Sequence, residues 1–151
     1  MSKISLQEVK KLRKETGLGI MEVKKALTQA KGDVRKAKEL LKKSGLEKLA
    51  KRGNKETGEG KVYAYVHAGG AVGALVKVLC ETDFVANSDG FVNLCKELAM
   101  QVASMKPKNV KELLAQKYIR NPKKSIKDLV EEAGITFKEK IVIGDIARLE
   151  F

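Results

Sequence analysis

The residues best suited to chemistry in this chain are few, and most of them lie near one short segment. Thr82-Asp83-Phe84-Val85 places a carboxylate beside a large aromatic ring, a combination that suits a probe aimed at a partner. His67 is the only histidine, and Cys80 and Cys95 lack the spacing of metal ligands. No nucleophile with a neighbouring base can be identified. An enzyme is therefore the least supported class of function, a distant third after a partner-binding and a nucleic-acid-binding protein, and the residues give no support to a metal or any other cofactor.

The elements on either side of residues 82–85 are predicted to be a strand and a helix. The apolar, β-branched run 74–79 is typical of a buried strand. Seven apolar residues then recur at helical spacing: Phe91, Leu94, Cys95, Leu98, Ala99, Val102 and Met105. Asn87 or Ser88 can cap this helix. Turns held by rigid elements often carry function, but the pattern alone favours burial of Phe84 in the chain's own core.

The composition is that of a globular protein without a membrane segment. Hydrophobic residues make up 43% of the 151 residues and charged residues 33%. No apolar run approaches the length of a membrane span, and the first residues do not form the apolar part of a signal peptide. We therefore expect a cytoplasmic protein with no membrane partner.

Charge is distributed unevenly along the chain, whose formal net charge is +12. Residues 1–60 carry 17 lysines and arginines against 8 aspartates and glutamates, whereas residues 61–151 carry 14 against 11. A basic first part suits a polyanion or an acidic protein surface. The alternative is a solvated face that has no specific partner.

Residues 1–45 are predicted to form three short amphipathic helices. Ser5 and Glu8 have the spacing of a capping box, and the glycines after residue 16 separate the first helix from the second. Asp33 caps the third helix, which we expect to end at Ser44-Gly45. Its inward-facing residues are predicted to be Val34, Ala37, Leu40 and Leu41. No aromatic residue occurs before Tyr63, so the predicted core of this module is purely aliphatic and close to the smallest that can fold independently.

Two functions are open to a basic three-helix module. A helix-turn-helix DNA reader is the first, but the lysines are spread over all three helices, and the third has no cluster of Asn or Gln to read bases. A protein-docking module is at least as consistent with the sequence. Its contact would be the apolar turn 17–21, where Met21 is either an adaptable contact or a core residue. A small basic nucleic-acid-binding protein remains the alternative function.

The rest of the chain is predicted to be a linker followed by an α+β core. Residues 46–60 are basic and glycine-containing, which indicates a boundary. The core over residues 61–151 is expected to hold a small antiparallel three-stranded sheet covered by helices on one face. The predicted elements are strands at 61–67, 74–79 and 140–151, and helices at 91–105, 110–116 and 126–134, with 118–124 irregular. Gly144 indicates a bulge or a close backbone approach.

Several stretches of the sequence resemble bacterial elongation factor Ts. Thr82-Asp83-Phe84-Val85, in its context within 80–87, is the most specific of them. The other matching stretches are residues 12–27, 36–37, 40–45, 60–66, 98–100 and 121–125, with Phe91 and the final strand through Glu150. Together they cover most of the chain.

This resemblance implies a guanine nucleotide exchange factor for elongation factor Tu, binding its GDP form and its nucleotide-free form. Residues 1–45 would be a ubiquitin-associated-like module that docks through Gly19, Ile20, Met21 and Lys24. Phe84, in the turn formed with Thr82, Asp83 and Val85, would wedge into the partner and displace the elements that coordinate the Mg²⁺ bound with GDP. No specific nucleic acid is then expected as a partner.

The chain also departs from the pattern of this family. The segment between Val110 and Asn121 is shorter than in the family, and residues 135–138 resemble a small insertion in a loop. Long members of the family carry a second half of the core, which two short chains can reproduce as a pair. The resemblance therefore implies a homodimer through the core sheet, with a monomer as the alternative.

Overall fold

The structure is a computed structural model that describes residues 4–53 and 55–151. The described residues up to Gly53 form one compact unit, and those from residue 55 onward form another. The first unit contains the helices α1 (Leu6–Thr16), α2 (Ile20–Gln29) and α3 (Val34–Lys51). None of the helices in the described ranges is both long enough and apolar enough to span a bilayer.

Local capping signals in the first unit have the structure that the sequence predicts. Ser5 and Glu8 form the capping box of α1, and Gly17 ends this helix in the left-handed conformation, with φ of 67°. Asp33 caps α3 through a hydrogen bond from the backbone N–H of Lys36. The core consists of small aliphatic side chains, including Leu12, Val23, Leu27, Ala37 and Leu41.

The predicted end of the third helix is wrong. The helix α3 continues through Ser44-Gly45 to Lys51 and takes up the first part of the expected linker. A glycine inside a helix costs only about 1 kcal/mol, and the half-buried Leu46 and Leu49 continue the apolar side of the helix. Val34 and Leu40, which were expected to face inward, are partly exposed.

The second unit is built on an antiparallel three-stranded sheet. Its strands are β1 (Glu59–His67), β2 (Val72–Cys80) and β5 (Val142–Glu150), with β2 in the centre. The strand β1 therefore begins within the predicted linker. The pairing of β2 with β5 shifts register between Lys77 and Val78, opposite Gly144, so the predicted bulge at that glycine is confirmed.

Helices cover one face of this sheet. They are α4 (Asp83–Ala86), α5 (Asp89–Met105), α6 (Val110–Ala115) and α7 (Ile126–Phe137). Alternate residues of β2, such as Val76 and Val78, join Phe91 and Leu98 of α5 in the core. The residues between them point away from the helices, so the sheet presents exposed apolar residues on its outer face: Val62, Val66, Leu75 and Leu149.

Two further predictions for the core are wrong. The segment expected to be irregular contains a hairpin of β3 (Lys117–Tyr118) and β4 (Asn121–Ser125). The helix α7 does not stop at Gly134 but runs to Phe137, so residues 135–137 lie in a helix and not in an inserted loop. Burial of Ile135 and an edge-on contact between Phe137 and Phe91, 6.4 Å between ring centroids, stabilise this last turn.

Candidate partner-binding site

The helix α4 is a single turn that directs Phe84 into solvent. The Thr82 hydroxyl accepts a hydrogen bond of 3.3 Å from the backbone N–H of Val85 and so caps the turn. Val85 and Ala86 are buried in the core. Because successive helical residues point about 100° apart, Phe84 then lies on the opposite side and is 84% exposed. The expectation from the pattern alone, that Phe84 is a core residue, is wrong.

The C-terminal side of this turn is held by Asn87 and Ser88. The Asn87 side-chain amide donates a hydrogen bond of 3.0 Å to the Asp83 carbonyl, and its oxygen accepts one of 3.0 Å from Lys61 Nζ on β1. The Ser88 hydroxyl donates to the Val85 carbonyl over 2.7 Å and caps α5. The turn is thus tied both to the sheet and to the helix that follows it.

The N-terminal side is held by a carboxylate from a distant part of the chain. Glu139, only 7% exposed, lies between α7 and β5. Its Oε2 accepts hydrogen bonds from the backbone N–H groups of Glu81, at 3.0 Å, and Thr82, at 3.1 Å. Its Oε1 accepts a third, of 2.5 Å, from the Thr82 hydroxyl.

Cys80 also contacts the turn but has no reactive character. Its thiol donates to the Thr82 carbonyl over 3.2 Å. Burial, with a smaller contribution from the negative charge of Glu139, raises the pKa of this thiol. Cys95 is buried as well, and burial raises its pKa to about 11. Both cysteines are therefore neutral near pH 7, as the interpretation as buried thiols requires.

The turn combines an exposed aromatic ring with an ordered backbone. Phe84 presents a large apolar surface on a backbone that is hydrogen-bonded on both sides, and the exposed Asp83 lies beside it. Within the described ranges, no group of three or more His, Cys, Asp or Glu residues could hold a metal ion.

The four residues predicted to dock the first unit lie at the beginning of α2. Gly19 is the N-terminal cap of that helix, and Ile20 and Met21 are 44% and 73% exposed. Lys24 is exposed one turn further along. The structure thus brings together Ile20, Met21 and Lys24 on one helix, and it places Met21 outside the core.

Sequence reasoning did not find the residues that hold the turn. Glu139 stands between two lysines, just before the last strand, where an acidic residue normally indicates a solvated surface. Lys61 likewise reads as an ordinary charged residue near the start of a strand. Neither has a periodic or motif signal, because their hydrogen bonds join segments that are far apart in sequence.

The family model described as "Elongation factor TS" matches residues 81–151. Elongation factor Ts of Thermoanaerobacter sp. (strain X514) is 38% identical over 192 residues, covering 97% of this chain and 94% of the relative. This chain belongs to the elongation factor Ts family. Membership places it among the factors of translation elongation in protein biosynthesis.

Other members of the elongation factor Ts family show the same relationship. Elongation factor Ts of Leptospira biflexa serovar Patoc (strain Patoc 1 / Ames) is 38% identical over 192 residues, covering 97% of each chain. That of Anaeromyxobacter dehalogenans (strain 2CP-1 / ATCC BAA-258) is 51% identical over 111 residues, which cover 74% of this chain and 51% of the relative. The 192-residue alignments are longer than the 151-residue chain, so these relatives carry residues that this chain lacks.

Proposed function

We propose that this chain is a guanine nucleotide exchange factor that promotes release of GDP from elongation factor Tu. Its working residue is Phe84, which inserts between side chains of the nucleotide-binding domain of the partner. The observation that carries the proposal is the exposure of this ring on a turn that is hydrogen-bonded to Glu139 at one end and to Lys61 of β1 at the other. A large aromatic residue held out in this way gains contact area only when a partner covers it.

Insertion would act on the nucleotide through the Mg²⁺ that elongation factor Tu binds with GDP. Moving the elements that coordinate this ion weakens Mg²⁺ binding. Loss of the divalent charge beside the phosphates then weakens GDP binding. The factor and the nucleotide then weaken each other's binding by the same coupling free energy. Since the turn is already ordered, little conformational entropy is lost when Phe84 inserts.

The other residues of the turn have separate roles in this proposal. Thr82 caps α4 through its hydroxyl, and Val85 anchors the turn by packing into the core, so these two residues support the part of the turn that meets the partner. Asp83 is exposed beside the ring and contacts elongation factor Tu. The protein itself supplies no bond chemistry and no cofactor, and its site of action as a translation factor is the cytoplasm.

The first unit is proposed to be the docking module. Its three helices correspond to the ubiquitin-associated-like module of the family, and its contact with elongation factor Tu uses Gly19, Ile20, Met21 and Lys24. Exposed apolar side chains next to a lysine support this assignment, because such a patch suits a partner surface with an apolar centre and acidic rim.

We also propose that two copies associate through the outer face of the core sheet. Val62, Val66, Leu75 and Leu149 are exposed on this face, and the aligned packing of two sheets would remove them from water. Leu149, the last residue but one of the edge strand β5, is 81% exposed and adds apolar surface at the border of the patch.

The test of the exchange function is the release of a fluorescent GDP analogue from elongation factor Tu in the presence of Mg²⁺. We expect this protein to accelerate release strongly, and absence of acceleration would contradict the function. A second series without Mg²⁺ tests the mechanism. Chelation alone should speed release, and the additional acceleration by the factor should shrink. An equal acceleration with and without Mg²⁺ would show that the ion is not the point of action.

A further inference from the structure

The carboxylate of Glu139 is in an unusual environment for an acidic side chain. Glu139 and Gln101 are the two buried polar or charged residues in the described part of the chain. A buried carboxylate loses its hydration, and only strong hydrogen bonds compensate for the cost. All three donors to Glu139 come from Glu81 and Thr82, the two residues that lead into α4.

The hydrogen bonds form a chain that ends at the turn carrying Phe84. A hydroxyl group has one proton to donate. The Thr82 hydroxyl gives its proton to Glu139 Oε1, so its lone pair is directed to the backbone N–H of Val85. Glu139 thereby fixes the orientation of the group that caps α4.

A second carboxylate completes a reciprocal arrangement with Glu139. The backbone N–H of Lys140 donates a hydrogen bond of 2.8 Å to Glu81 Oε1, while the backbone N–H of Glu81 donates to Glu139. These bonds lie beyond Leu79 and Val142, the last paired residues of β2 and β5. They continue the connection between the two strands to Glu81, two residues before α4 begins.

From this geometry we propose that Glu139 is a positioning residue for nucleotide exchange, acting on Phe84 through Thr82 and Glu81. The inference rests on the exchange function proposed above. An exposed ring has no packing of its own to fix its direction, so its direction depends on the backbone of the turn. Small displacements of a group that must enter a narrow site are costly, as in enzyme active sites. Glu139 thus sets the rate of GDP release more than the strength of docking.

The substitution Glu139→Gln separates these effects with little change in shape. A glutamine side chain has one acceptor oxygen, so it cannot accept from the Thr82 hydroxyl and from both backbone N–H groups at once. We expect about tenfold slower GDP release at saturating factor, the size of one lost charge-assisted hydrogen bond. The factor concentration that gives half-maximal acceleration should change less than about threefold, the effect of a substitution that removes no contact with the partner. The proposal would be overturned if Glu139→Gln reached the wild-type release rate at saturation and differed only in needing a higher concentration for half-maximal acceleration.

The matched control is Glu132→Gln. It makes the same chemical change on α7, where Glu132 pairs with Lys124 over 2.7 Å and does not bond to the turn. With Glu132→Gln as the factor, elongation factor Tu should release GDP at the same rate as with the wild-type factor. If the two variants slow release equally, Glu139 has no special role.

Amide hydrogen exchange on the free 151-residue protein tests the same inference without the partner. In Glu139→Gln, the backbone N–H groups of Glu81 and Thr82 lose a charged acceptor, and hydrogen bonds to a neutral amide oxygen are about half as strong. Both groups should therefore exchange faster by about tenfold or more, while the centre of β2 stays protected. Unchanged protection of both groups would overturn the proposal. Faster exchange throughout the second unit would also overturn it, since Glu139 would then be a general stability residue. Thr82→Val, which removes only the hydroxyl, provides a milder variant if Glu139→Gln unfolds, and it should slow release without exposing the core.

The two assays distinguish failure of this inference from failure of the exchange function. If wild-type protein does not accelerate GDP release, the proposed function fails, and the inference fails with it. A second outcome would refute only the positioning role. In it, wild type accelerates GDP release, and the amides of Glu81 and Thr82 exchange faster in Glu139→Gln. This variant nevertheless accelerates GDP release as much as wild type does.

Discussion

At the scale of single residues, the exposure of Phe84 is decided by its neighbours. Val85 and Ala86 fill the core, and a one-turn helix that directs them inward must direct Phe84 outward. A hydrophobicity pattern shows only that an apolar residue is present and cannot show which side of a four-residue helix is buried. The sequence resemblance implied an exposed ring, whereas the pattern alone favoured a core residue.

Truncation of the exposed ring should leave stability nearly unchanged. We expect Phe84→Ala to alter the free energy of unfolding by less than about 0.5 kcal/mol, as for surface substitutions. Phe91, which is fully buried in α5, is the matched control, and Phe91→Ala should cost about 3–5 kcal/mol. Urea unfolding of both variants measures this difference. A large loss in Phe84→Ala would show that the ring packs in the core.

At the scale of elements, the sequence predicts local signals well and long-range ones poorly. The caps at Ser5, Ser88, Asn109 and Ser125 are present because a cap involves residues only three positions apart. The hairpin of β3 and β4 was not predicted. It depends on buried Gln101, whose amide donates to the Lys117 carbonyl and accepts from the Ile119 N–H, and these partners are 16 and 18 residues away.

The pairing of β1 with β2 requires a glycine at residue 60. Gly60 has a φ of 152°, and a Cβ atom there would lie 2.1 Å from the Val78 carbonyl oxygen. We expect Gly60→Ala to destabilise the second unit by about 3 kcal/mol, because backbone strain and overpacking add. Gly58→Ala is the control, since a Cβ atom at Gly58 meets nothing within 4 Å. Similar melting temperatures for the two variants would contradict this account.

The attachment of the β3–β4 hairpin to α5 should depend on pH in alkaline solution. The Tyr118 hydroxyl donates a hydrogen bond of 2.6 Å to Glu97, and burial together with this bond raises the pKa of Tyr118 to about 12. Below the ordinary pKa of 10.0, both the folded and the unfolded state keep the proton, so the contribution to stability is fully present. As the pH rises from 10 toward 12, the unfolded state ionises first and the contribution is lost.

Tyr118→Phe tests this titration. At pH 7 the variant should be less stable by about 1–2 kcal/mol, at the lower end of the value of a hydrogen bond to a charged group because Tyr118 is only half-buried. The difference from wild type should shrink as the pH is raised above 10. A constant difference up to pH 11, measured by urea unfolding, would show that Tyr118 keeps its ordinary pKa.

At the scale of the whole molecule, the division into two compact units predicts separable roles. A protein that lacks residues 1–53 should fold with the sheet and helices of the second unit intact, as monitored by circular dichroism and amide exchange. It should bind elongation factor Tu more weakly but still accelerate GDP release at high concentration. An unfolded product would contradict the two-unit division.

Association through the core sheet can be tested by charge substitution. Leu75→Lys places a lysine in the centre of the exposed apolar face, and in a symmetric dimer two such charges would be buried against each other. We expect sedimentation velocity to show a dimer for wild type and a monomer for Leu75→Lys. Leu6→Lys, on an exposed leucine of α1, should remain dimeric. A monomeric wild type at micromolar concentration would refute the dimer.

The central claim is that Phe84 is the residue that opens the nucleotide site of elongation factor Tu. The most direct measurement compares wild type and Phe84→Ala in release of a fluorescent GDP analogue, at saturating concentrations of each factor. If the claim is correct, the folded variant should lose most of the acceleration, about a hundredfold, the size of loss that a misplacement of about 1 Å can cause at a working site. Acceleration at the wild-type level by folded Phe84→Ala would contradict the claim.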